Sequence, residues 1–317
     1  MKKIISLFLC IAILISLVCI TSSCAKSKDD GNINVICTIF PYYDWAKNVI
    51  GASENVTLSL IISNGADPHS YQPTATDILN ISNCDVIIYT GGSSDVWVEA
   101  ALEKANSPDI RKIKLIELDG MTLHNVSASD HEHDHEHDHG EFDEHIWLSL
   151  KNARLATQNI ADELSAIDVK NAERYTENAK SYAQELLSLD ESFVNTLAEE
   201  HPFMLFADRF PFVYTLSDYG ISYQAAFEGC TTDASADFDT IISLIEEAKL
   251  HNTKYVCVTE SSDKALAKTV ISSSNHTEME ILTFNSIQGI TKRDIESGVT
   301  YLSLMKNNLE TMKKAIS

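Results

Sequence analysis

The feature that most constrains this chain is a long apolar stripe set between two runs of alternating strands and helices. Tyr175, Ala179, Tyr182, Leu186, Leu189, Phe193 and Leu197 recur at four- and three-residue spacing, which is one face of an α-helix. A helix over residues 170–199 is roughly 45 Å long at 1.5 Å per residue, too long for the crossover of one α/β unit. It reads as a rigid strut between two domains. Asp168 stands where the N-cap of that helix is expected. An amphipathic helix over 149–167, with Ala153, Ala156, Ile160 and Leu164 on its buried side, precedes it.

On either side of the strut the hydrophobic pattern alternates. Residues 34–40, 56–62, 85–89 and 113–118 read as strands, with helices over 41–50, 74–82 and 96–105 and a loop over 63–73. The alternation restarts with strands at 203–206, 222–227, 255–259 and 280–284, and helices at 212–219, 238–250, 264–273 and 299–316. Strands separated by helices pair in parallel, so the expected class is α/β. Two parallel-sheet lobes are expected at 33–150 and 200–317. The helical region 151–199, with its linker helix from about 168, joins them.

The N-terminus reads as a targeting segment. Lys2 and Lys3 precede an apolar run over 4–20, then Thr21-Ser22-Ser23 and Cys24, which is the layout of a secretory signal over 1–23. A membrane span is the other reading, with the run near its lower length limit. The Ser-Ser-Cys ending resembles a bacterial lipobox, although Thr21 stands where such motifs usually carry Leu. On that resemblance Cys24 is lipidated, residues 24–32 form a polar tether, and the protein is anchored outside the cytoplasm. Cys37, Cys84, Cys230 and Cys257 remain, with no C-x-x-C pair to make a zinc ribbon. The first two and Cys257 fall in or beside strands, where cysteine serves as a small buried apolar group.

Charge narrows the partners. With 24 basic and 46 acidic residues the net charge is −22, which disfavours nucleic acid and anionic lipid and favours cations. Five of the eleven histidines, His131, His133, His135, His137 and His139, alternate with Glu132, Asp134, Glu136 and Asp138 in an expected loop over 121–141. Short His-rich tracts bind metal, and imidazole is a common zinc ligand. A solvated polar loop is the other reading; an expression tag is excluded because the run is internal. The loop is expected to gather metal, with the stable site elsewhere.

Three further segments bear on that site. They are GADPHSYQPTATD at 65–77, DEHIWLSLKNA at 143–153 and VTESS at 258–262. Together they resemble the solute-binding proteins of bacterial zinc and manganese ABC importers, whose two lobes are joined by a rigid helix with the metal in the cleft. The resemblance implies His69 and His145 as ligands. It aligns the third ligand position with Ala207, which cannot bind metal; Asp208 is the nearest replacement, with a salt bridge to Arg209 or a helix cap as its other readings. The fourth position aligns with Asn285, a poor zinc ligand. Glu260 is an alternative oxygen donor, or a structural hydrogen-bonding group.

The function so implied is capture of zinc and delivery to a membrane permease, by a lipid-anchored monomer. Manganese is the other candidate cargo, because hard oxygen donors favour it as imidazole favours zinc. A surface adhesin or metal-storage protein shares these features. A secreted zinc hydrolase is the remaining class, but neither H-E-x-x-H nor G-x-S-x-G occurs, and no enzyme activity is expected. His124, His201, His251 and His276 occur singly and read as exposed.

Overall fold

Strands that are apolar on both faces need a layer on each side. The computed structural model, which describes residues 31–105, 109–125, 142–198, 202–227, 236–274 and 278–317, supplies those layers. In the first lobe β1 (Ile33–Cys37), β2 (Val56–Leu60), β3 (Val86–Tyr89) and β4 (Arg111–Lys114) alternate with helices α1 (Phe40–Ile50), α2 (Ala75–Ser82) and α3 (Val96–Glu103). Two long helices follow, α4 (Leu150–Ile167) and α5 (Ala172–Thr196). The second lobe holds β5 (Phe203–Phe206), α6 (Val213–Asp218), β6 (Ser222–Ala225), α7 (Phe238–Leu250), β7 (Tyr255–Thr259), α8 (Ala265–Ser273) and β8 (Glu280–Phe284). Helices α9 (Lys292–Glu296) and α10 (Tyr301–Ala315) close the chain.

Both sheets are parallel and share one topology. The strand orders are β2-β1-β3-β4 and β6-β5-β7-β8. The expected α/β class with two parallel-sheet lobes is therefore observed.

Alternation along each strand sorts side chains between the layers. Val35, Cys37, Val86 and Ile88 enter an inner core, whereas Ile36, Ile87 and Tyr89 join Ile81, Val98 and Ala101 beneath α2 and α3. Met204, Phe206, Cys257 and Phe284 likewise face inward, while Leu205, Val256 and Val258 pack with Leu244 and Val270 of α7 and α8. The two inner faces merge into one apolar cluster that also takes in α1, α4, α5 and α10. The lobes thus share a core.

The strut differs from its expected form. Helix α5 has 25 residues and begins at Ala172, after a single 3-10 turn over Val169–Asn171. At 1.5 Å per residue it is about 37 Å long. Asp168 does not cap it. Its N–H closes α4 on Leu164, and its carboxylate accepts from Asn55 Nδ2, Asn171 Nδ2 and Tyr175 OH. Reversal of direction between α4 and α5 takes the carboxylate that a straight helix start would have used. Helix α5 packs along α4 and touches both α1 of the first lobe and α10 of the second. The expected closing helix over 299–316 is α10, capped by Thr300; the short α9, which the pattern did not suggest, precedes it, and Gly298, at φ 92, makes the turn between them.

A buried carboxylate pins these helices together. Asp44 of α1 is 3% exposed, and its Oδ2 accepts from Tyr301 N of α10 at 3.1 Å and Tyr182 OH of α5 at 3.3 Å. Burial raises its pKa, and those two donors work in the opposite direction. Asp44→Ala leaves a buried N–H and a buried hydroxyl without their acceptor. The expected loss is about 2–4 kcal/mol of stability, read from urea unfolding.

Candidate metal centre

The His69 loop is built by its own short-range bonds. Gly65 adopts φ +78, and the space beside it admits the Thr291 methyl at 3.2 Å and the Gly289 carbonyl at 3.4 Å of a notional Cβ. Asp67 caps a 3-10 turn over Pro68–Ser70 by accepting the His69 N–H at 3.0 Å. Its other oxygen takes Arg209 Nη1 from the second lobe at 3.0 Å. Thr74 and Asp77 form a capping box at the start of α2, and Tyr71 OH donates to Asp77. Asp67, Tyr71, Thr74 and Asp77 of the 65–77 motif thus have structural tasks.

The second histidine comes from a segment threaded between the lobes. Asp143 Oδ1 receives both the backbone N–H of His145 and its Nδ1, each at 2.9 Å. Burial opposes ionisation of Asp143, but the charge and hydrogen bonds of His145 outweigh it and hold the carboxyl below its usual range. The Trp147 ring lies edge-on to the His145 ring at 5.1 Å, and Trp147 Nε1 donates to the Ser286 carbonyl of the second lobe at 2.8 Å. Ser149 then caps α4 through the Asn152 N–H.

The fold brings the two imidazoles together. His69 Nε2 and His145 Nε2 are 3.0 Å apart, while the Nδ1 atoms meet Ser94 Oγ at 2.8 Å and Asp143 Oδ1 at 2.9 Å. Glu144 Oε2 stands 3.7 Å from His69 Nδ1. Two zinc–nitrogen bonds of about 2.0–2.1 Å at a tetrahedral angle put the nitrogens about 3.3 Å apart, so the rings need separate only by a few tenths of an ångström. A cation held by both rings would stand between the two Nε2 atoms. Metal-ligating histidines ordinarily place the second ring nitrogen on an oxygen partner, and here Nδ1 of His145 meets a carboxylate and Nδ1 of His69 a hydroxyl. The site lies beyond the carboxyl ends of β2 and β3, where open α/β sheets gather ligands.

Residues 35–315 match the family described as zinc-uptake complex component A, periplasmic, or ZnuA. The chain belongs to the ZnuA family. It is 30% identical over 297 residues to the zinc-binding lipoprotein AdcA of Streptococcus pneumoniae, covering 92% of this chain and 58% of AdcA. It is 29% identical over 299 residues to the high-affinity zinc uptake system protein ZnuA of Bacillus subtilis, covering 93% of this chain and 91% of that protein. The Zn(II)-bound ZnuA-like domain of Streptococcus pneumoniae AdcA superposes with a TM-score of 0.72 at 26% identity, over 90% of this chain and 99% of that domain. The chain therefore spans a little over half the length of AdcA itself.

Against the ligand positions expected from the ZnuA family, the second lobe is differently employed. Ala207 is 2% exposed and packs in the outer apolar cluster with Leu205 and Leu244. Asn285 accepts the Ile287 N–H at 2.7 Å, where Ile287 holds φ 65. Asp208 does not pair with Arg209 as one reading had it; its Oδ2 accepts both the N–H and hydroxyl of Thr259 and ties the ends of β5 and β7 together. Glu260 accepts the Ser286 N–H at 2.8 Å and hydroxyl at 2.6 Å. Among the described residues, no group of three His, Cys, Asp or Glu is arranged to hold a metal. Cys24, His131, His133, His135, His137, His139, His201 and His276 lie outside the described residues. His251 is exposed as expected, but His124 is half-buried, edge-on to Tyr214.

Sequence reasoning missed Ser94 and Glu144. No local pattern marks Ser94, which meets His69 only because the β3–α3 turn folds over it. That turn is held by Asp95, whose Oδ2 accepts the Thr90 and Gly91 N–H groups. Burial and the Glu144 charge lift Asp95 to about 6, against the hydrogen bonds of Gly91 and Thr90. A carboxyl raised on folding contributes stability that is fully present below its ordinary value of 3.8 and lost as the pH rises through about 6. Asp95→Asn is expected to remove this slope, on the order of 2–3 kcal/mol, in urea unfolding compared at about pH 4 and about pH 7.

Proposed function

We propose that this chain captures zinc outside the cytoplasmic membrane and hands it to the permease of an ATP-driven importer. The observation that carries this reading is the convergence of His69 Nε2 and His145 Nε2 at 3.0 Å, with each Nδ1 already met by an oxygen. Two imidazoles in that pose favour zinc over manganese, which prefers carboxylate and carbonyl oxygens. The names of the relatives support the same cargo: AdcA is a zinc-binding lipoprotein, and ZnuA of Bacillus subtilis belongs to a high-affinity zinc uptake system. The reading takes the protein as a monomer anchored through lipidated Cys24, with lobes at 33–150 and 200–317.

His69 and His145 are the first two ligands. Glu260 is the second-lobe donor, exposed and one residue beyond the end of β7; turning from Ser286 frees an oxygen for the cleft. Asp208 supports it by fixing the adjacent Thr259. Water completes four-coordination. The lobes already meet through Arg209 and Asp67, and through Trp147 and Ser286, so metal adds ligation with little movement.

His69→Ala and His145→Ala are each expected to lose most zinc affinity, by at least about a hundredfold, in competition titration against a calibrated chelator, with Glu260→Gln losing less. Binding should weaken as the pH falls, because protons compete for the imidazoles. Unchanged affinity in both alanine variants would remove the histidines from the site.

The histidine-rich segment is assigned a separate capture role. A tract with donors at every second residue has no sequence pattern that would hold them in one geometry, so weaker binding than in a preformed cleft is expected of it. Deleting residues 130–140 is expected to lower the number of zinc ions bound and to leave the tightest step intact. Loss of that step instead would make a loop histidine a ligand of the primary site.

A further inference from the structure

We infer that Glu144 is the positioning residue that makes His69 a zinc ligand, by aligning its ring and drawing the ring proton to Nδ1. The inference rests on the reading of His69 and His145 as zinc ligands. Glu144 is 8% exposed. Its Oε1 accepts the Ser94 N–H and the Ser93 hydroxyl, both at 2.9 Å, and its Oε2 lies 3.7 Å from His69 Nδ1. Ser94 Oγ is the nearer partner of that nitrogen, at 2.8 Å.

The chemistry of the two partners differs. A hydroxyl donates or accepts with equal ease, so Ser94 alone does not choose which ring nitrogen of His69 carries hydrogen. A carboxylate only accepts, and its charge favours an N–H directed toward it. With hydrogen on Nδ1, the Nε2 lone pair is left for the metal. Asp143 stands behind Nδ1 of His145, and Glu144, the next residue, faces the other way toward Nδ1 of His69.

Space for the carboxylate is built in. A Cβ added to Gly92 would collide with the Glu144 carboxylate, so the glycine leaves the room that the acid occupies. Glu144 matters here because Ala207 and Asn285 offer no anionic ligand from the second lobe. Glu144 adds negative charge from behind the histidines to that of Glu260, the second-lobe carboxylate proposed as a ligand.

The test compares the full chain with its Glu144→Gln and Gly92→Ala variants. Glutamine retains an oxygen for Ser93 and Ser94 but removes the charge, so loop anchoring and proton placement are separated. In zinc competition against a calibrated chelator, Glu144→Gln is expected to weaken the tightest step by about ten- to a hundredfold. In proton–nitrogen spectra at saturating zinc, the His69 Nδ1–H signal should shift and exchange faster with water. The corresponding His145 signal, held by Asp143, should stay. Gly92→Ala should reproduce this pattern, because the added methyl displaces the carboxylate without changing its charge.

Unchanged affinity and an unchanged His69 signal in Glu144→Gln, with tight binding abolished by His69→Ala, would overturn the role of Glu144 and leave the ligand assignment standing. An intact tightest step in His69→Ala would overturn the ligand assignment and this inference with it.

Discussion

Residues 143–149 run between the two lobes, buried along their length, and a buried loop must find partners for its backbone polar groups. The second lobe provides them. Tyr214 OH donates to the Asp143 carbonyl at 2.6 Å, Tyr301 OH to Trp147 at 2.6 Å and Thr215 Oγ1 to Leu148 at 2.7 Å. Ser149 Oγ donates in turn to Asp218 at 2.6 Å. His145 is held in place by this segment, so its pose depends on side chains far away in sequence. The His69 loop then closes over it, and the shared core fixes the distance between them.

This arrangement changes what the second lobe contributes. Instead of the family's expected ligand at position 207, it sends Arg209 to Asp67, the residue that caps the His69 turn. It also sends the Ser286 carbonyl to Trp147, against which the His145 ring packs. Glu260 is engaged in shaping the Ser286 loop. Besides the proposed Glu260 ligand, the lobe acts on both histidines at one remove, through the groups that hold them. Preorganisation of this kind favours affinity by lowering the ordering cost of binding, where an additional ligand would add bond energy.

The polar cluster tolerates burial because its members are paired. Asp143 and Glu144 face opposite ways and each meets donors, Asp95 takes two backbone N–H groups, and Asp44 does the equivalent work at the helix junction. Left alone, any of these carboxylates would be expensive to bury. Their pKa values record the balance: Asp143 is lowered where its histidine partner prevails, and Asp44 and Asp95 are raised where burial prevails.

The two-lobe α/β fold was legible because it follows from local periodicity. Strands such as Val86–Tyr89 must be covered on both faces, and a stripe from Tyr175 to Phe193 demands a helix too long for one crossover. His69 and His145 stood out through the short motifs around them, whose capping bonds act within a few residues. Asp168 was misplaced as a cap because only the reversal between α4 and α5 brings Asn55 to it, 113 residues away in sequence. Arg209, Ser94 and the engagement of Asp208 and Glu260 were likewise invisible, since each bond spans 25 or more residues. Local pattern was enough for the elements, the parallel sheets and the motifs that carry the two imidazoles. Tertiary structure alone decided which oxygens stand behind those imidazoles, because hydrogen-bond partners that distant are chosen by packing and not by pattern.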